Sequence, residues 1–105
     1  MSQNTVFRGV ATRIERSDDI DRYIYHRTAV VVHDKRRHVV TLDNGGHHTM
    51  TSKTRMNQMA WQTNLDFHVH QHDYNWFVVT KAGKFPFQNG MRIDLTTGKP
   101  LPERN

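Results

Sequence analysis

The residues best suited to chemistry lie between Gly45 and Gln58, in the run GGHHTMTSKTRMNQ. Paired glycines let a backbone approach a ligand closely. Thr49, Thr51, Ser52 and Thr54 offer hydroxyl donors, Lys53 and Arg55 add positive charge, and His47 and His48 can join them. A helix starting after this turn presents unpaired N–H groups and the positive end of its dipole, which together favour phosphate. The run is not a P-loop, because the Gly-Lys-Ser/Thr spacing is missing. Its plainer reading is a tight turn and a capped helix, with the hydroxyls satisfying backbone groups.

Other groups are more dispersed. Lys35, Arg36 and Arg37, with His38, form a compact basic turn that can lie along a phosphate backbone or simply be solvated. His68, His70 and His72 alternate, so a strand places all three imidazoles on one face. Three such rings suit zinc or copper, but same-face residues sit roughly 7 Å apart, and one ion with bonds of about 2 Å rarely spans them. Polar spacers on a partly exposed sheet face are expected instead. No metal and no cofactor are implied. Ser2, Ser17 and Ser52 have no motif around them, and Asp18, Asp19 and Asp21 read as a solvated acidic turn. A nuclease built from His48, His70 and Asp43 is the catalytic alternative, though no spacing demands it, and the chain is read as a binding protein rather than an enzyme. Tyr23, Tyr25, Trp61, Tyr74 and Phe77 are candidate platforms for stacking bases.

The elements that must position these groups are mostly strands. Residues 22–34, RYIYHRTAVVVHD, are rich in β-branched and aromatic types, and read as one long strand with Ile24, His26, Thr28, Val30 and Val32 on one face. Residues 37–43 return as its hairpin partner, and Asp43-Asn44-Gly45-Gly46 breaks the strand. A helix follows, capped at Thr51 or Ser52 and ended by Asn64. It buries Met56, Met59, Ala60 and Thr63, with Arg55, Gln58 and Gln62 on the opposite, outward face. FHVHQH and NWFVVTK make a second hairpin about Asp73-Tyr74, with His68, His70 and His72 sharing one face with Phe77 and Val79. KFPFQNGMRIDL supplies a last irregular strand. The expected fold is α+β, a hairpin, one helix and a β-meander, forming mainly one antiparallel sheet with the helix packed on one face. One domain is expected over residues 1–105, with loose ends at about 1–6 and 97–105.

The segment TLDNGGHHTMTSKTRMNQMA resembles small proteins encoded by tailed bacteriophages. These share a strand, a Gly-Gly and Thr-rich turn, and a Lys-x-Arg-Met-Asn-Gln helix start. The matching positions are Gly45, Gly46, Thr49, Thr51, Lys53, Arg55, Met56, Asn57 and Gln58, followed by Asp73, Asn75-Trp76-Phe77-Val78, Phe87, Gly90 and Met91. The resemblance covers about residues 22–95. It implies a phage origin and, with that, the host cytoplasm, but no particular chemistry.

Composition narrows the class of partner. The chain has 105 residues, no cysteine and a net charge of +5, and 35% of it is hydrophobic. A disulfide scaffold, a thiol nucleophile and a Cys-ligated zinc site are excluded. No apolar run approaches the roughly 20 residues of a membrane helix, and the first residues do not read as a secretory signal. Residues 35–64 hold five basic residues against Asp43 alone, so the excess lies in the middle third. Such an excess attracts polyanions. The expected function is nucleic-acid binding, DNA or RNA, through phosphate contacts from Lys35, Arg36, Arg37, His47, His48, Thr51, Lys53, Arg55, Gln58 and Gln62. The alternative is a host-takeover or counter-defence protein that binds and inhibits a bacterial enzyme. A monomer or a homodimer is compatible with either.

Overall fold

A computed structural model of the chain describes residues 12–45 and 50–102. The strands are β1 (Thr12–Arg16), β2 (Ile20–Tyr25), β3 (Thr28–Asp34), β4 (Val39–Leu42), β5 (His68–His72), β6 (Asn75–Thr80), β7 (Gly83–Pro86) and β8 (Met91–Asp94). One helix, α1 (Met50–Gln62), lies between β4 and β5. The fold is α+β and every strand pairing is antiparallel. The described residues form two sheets rather than the one expected, a large one in the order β1-β2-β3-β4-β8 and a small one in the order β5-β6-β7.

The expected long strand over residues 22–34 is in fact a hairpin. Its turn is His26-Arg27, with His26 at φ 59° and Tyr25 paired to Thr28. No Gly, Pro or Asn marks this turn, so β-propensity runs through it unbroken. The register then shifts between Tyr23 and Ile24, leaving Val30 without a partner across the pair. This bulge interrupts the alternation, and both Tyr23 and Ile24 are buried as a result, as are both Val30 and Val31. β1 was not foreseen. Its sequence TRIER is polar because it forms a charged sheet edge, and only Thr12 and Ile14 are half-buried.

The last stretch also divides. β7 belongs to the small sheet and β8 to the large one. The chain crosses between them at Asn89-Gly90, where Gly90 takes φ 80° and donates to the Leu42 carbonyl at 2.7 Å. Part of the tail contacts the sheets. Leu101 N–H donates to Arg92 O at 2.8 Å, Pro100 bridges Ile93, and the Thr80 hydroxyl donates to Gly98 O. Residues 98–102 thus lie along β8.

The helix joins the two sheets, packing on β2, β3 and β5. Met56, Met59 and Ala60 meet Tyr23, Val31 and Leu42 from the large sheet, Val69, Trp76 and Val78 from the small sheet, and Phe67 just before β5, in one hydrophobic cluster. Asn64 ends the helix as expected. At φ 58° it lets its own N–H reach Trp61 O and the Leu65 N–H reach Ala60 O, which is a Schellman closure.

Candidate functional site

The basic turn is less basic in space than in sequence. It lies beside the β1–β2 turn, and its cations meet the acids that cancelled in an earlier stretch of the chain. Lys35 Nζ reaches Asp21 at 3.1 Å and the Ser17 carbonyl at 2.7 Å. Arg36 faces Asp19 and Arg37 faces Asp34, each at 3.7 Å. Asp21 is buried, held also by Arg16 at 3.2 Å, and is not the solvated residue expected. The exposed Arg36–Asp19 pair contributes little to stability, but together the three pairs weaken the field that the turn would otherwise project.

The helix motif proves largely structural. Gln58 is 1% exposed, so it is not on the outward face and cannot touch a phosphate directly. Arg55 is partly buried, donates to Gln58 Oε1 at 2.9 Å, and lies over the Tyr25 ring at 5.5 Å. Asn57 donates to Val69 O at 2.8 Å and accepts from Val69 N–H at 2.7 Å. It therefore takes the place of a neighbouring strand along the edge of β5 away from β6. Lys53 is half-buried and Gln62 exposed. His47, His48 and the side chain of Thr51 lie outside the described residues, as does Gly46. Asp43 serves the turn itself, accepting from the Gly45 N–H at 2.7 Å.

A different surface gathers basic and aromatic groups. The β5–β6 hairpin has the expected register, with its Asp73-Tyr74 turn at φ 51° and 69°. His68 sits across from Val79, His70 from Phe77 and His72 from Asn75. β7 extends the same face, with Lys84 across from Val79 and Pro86 across from Phe77. The His68 and His70 rings are 6.3 Å apart, and His70 meets Phe77 edge-on at 5.7 Å. Lys84 Nζ stands 4.5 Å over the Phe77 ring. Burial holds the His70 pKa below the ordinary histidine value, helped by the charges of Lys84, His68, Lys53 and His72. All four of those neighbours are basic. Asp73 pairs with His72 at the turn, 3.3 Å away. Among the described residues, no group of three or more His or acidic side chains is placed to hold a metal ion.

Of the candidate stacking rings, Tyr23 is buried and Tyr25 is covered by Arg55. Trp61 and Tyr74 are 66% and 90% exposed. Lys84 was missed at the sequence level. The signal for it was the register of β7, which no breaker pattern specifies.

The family model of the Kyanoviridae Gp96 protein matches residues 1–94. The chain belongs to this bacteriophage protein family. The match reaches to the first residue, well before the segment on which the resemblance to phage proteins rested. No curated protein and no solved structure matches the chain. No helix among the described residues of this Gp96-family chain is long and apolar enough to cross a membrane.

Proposed function

We propose that this phage protein binds nucleic acid, and that the outer face of the small sheet makes the contact. The observation that carries the reading is the placement of Lys84, Phe77, His68, His70 and His72 on one antiparallel face, with Lys53 close enough to bear on His70. Lysines of this kind attract phosphates, and rings between them offer sequence-tolerant contact. Arg36 and Arg37, each about three-quarters exposed, are secondary contacts because carboxylates already face them. Buried Gln58, and Arg55 bonded to it, are left out of the proposed contact.

The test is fluorescence anisotropy with labelled oligonucleotides over a range of salt. Log affinity should fall linearly with log salt, and Lys53→Gln with Lys84→Gln should reduce the slope by about two units. The pair Arg36→Gln and Arg37→Gln should reduce it less. Absence of binding at low ionic strength would refute the proposal. So would nuclease-resistant capture of one host enzyme by this face, which would make the protein an inhibitor instead.

A further inference from the structure

The largest exposed ring on a regular element of the described chain is the Trp61 indole, in the last turn of α1. It borders an open groove of about 450 Å³ together with Ala60, Asn64, Leu65, Phe67 and His68. That volume lies in the range of small-ligand sites. Its lining mixes apolar groups (Ala60, Leu65, Phe67) and the Trp61 indole with the polar side chains of Asn57, Asn64 and His68. His68 is also the first ring of the histidine face, so one residue borders both the groove and the surface that carries Lys84.

We infer that the Trp61 groove receives an unpaired nucleobase, making the preferred ligand a single strand of DNA or RNA. The inference rests on the nucleic-acid reading above and goes beyond it by naming the strand state. An indole in an open groove can stack on a base only where the base face is accessible. In a duplex that face is covered by the next base pair. Charge complementarity argues for a nucleic-acid occupant, because the face that starts at His68 leads across Val79 to the cation of Lys84. Tyr74 stands beyond His72 at the far end of β5, where a second base could stack on its exposed ring.

Tryptophan emission reads the inference directly. Trp76 is buried against Phe87, so changes on binding report Trp61. The full-length chain is titrated with thymidine and uridine oligomers and with a duplex of equal length. Single strands should quench the emission and the duplex should not. Trp61→Ala should weaken single-strand binding roughly five- to a hundred-fold, with the salt slope unchanged. Trp61→Phe should fall between the two. Lys53→Gln with Lys84→Gln should change the slope and keep the quenching. Salt-dependent binding that Trp61→Ala leaves untouched would overturn the groove and leave the broader reading standing. Loss of all oligonucleotide binding by the unmodified chain would overturn both. A dimer that becomes a monomer on Trp61→Ala would assign the groove to self-contact and also overturn the inference.

Discussion

Replacing Asn57 by alanine should cost the fold about 2–4 kcal/mol. The Asn57 amide makes two short bonds to one residue, 2.8 Å to the Val69 carbonyl and 2.7 Å from the Val69 N–H. Val69 is 1% exposed, so its backbone groups have little access to water once the amide is gone. A buried donor or acceptor left unpaired costs about 1–3 kcal/mol, and two are at stake. Asn57 also borders the open groove beside Trp61, through which a water can partly replace it, and this favours the lower half of the range. Against a typical stability of about 5–15 kcal/mol, the loss is large. Urea denaturation followed by circular dichroism is the assay. The midpoint should fall while the m-value stays constant, because the surface exposed on unfolding is unchanged. Asn57→Asp should be at least as damaging near neutral pH. It keeps an acceptor for the Val69 N–H but sets a carboxylate oxygen against the Val69 carbonyl. A loss below about 0.5 kcal/mol for Asn57→Ala would mean that the edge of β5 is satisfied by solvent, and the reasoning would fail.

Three further outcomes are expected. Arg55→Gln should destabilise by about 1–2 kcal/mol in thermal melts, because it removes a charge-assisted bond to buried Gln58 and a cation over Tyr25; a neutral effect would return Arg55 to the solvent face. Gly45→Ala should cost about 1–2 kcal/mol or more in the same melts, since Gly45 holds φ 66° and an added Cβ would collide with the Thr28 hydroxyl. Stability should also fall as pH drops below about 6.5, the ordinary histidine value. Burial lowers the pKa of both His33 and His70, so the unfolded chain takes up protons there that the folded chain refuses; the double change His33→Gln and His70→Gln should flatten that part of the urea-midpoint profile, and an unchanged slope would sink the assignment.

Local sequence determined the pieces whose signals are local. The alternation through HVHQH, the two-residue turn at Asp73-Tyr74, the helix with its Asn64 stop and the α+β class all follow from period and turn chemistry. Features that depend on partners far along the chain were beyond its reach. The His26-Arg27 turn has no breaker residue, and only the pairing of β2 with β3 creates it. The division of the last strand between two sheets depends on which edge each half finds. The same holds for function. Lys35, Arg36 and Arg37 stand out in a count along the chain, yet folding lays them beside Asp19, Asp21 and Asp34. Arg55, Gln58 and Gln62 read as a polar outward helix face, yet Gln58 is buried and Arg55 is held by it and by the Tyr25 ring. Lys84 lies apart from any motif, and the register of β7 sets it beside the histidines. Charge and hydrogen-bonding capacity are properties of residues, but which of them remain available to a ligand depends on the distances that tertiary packing imposes.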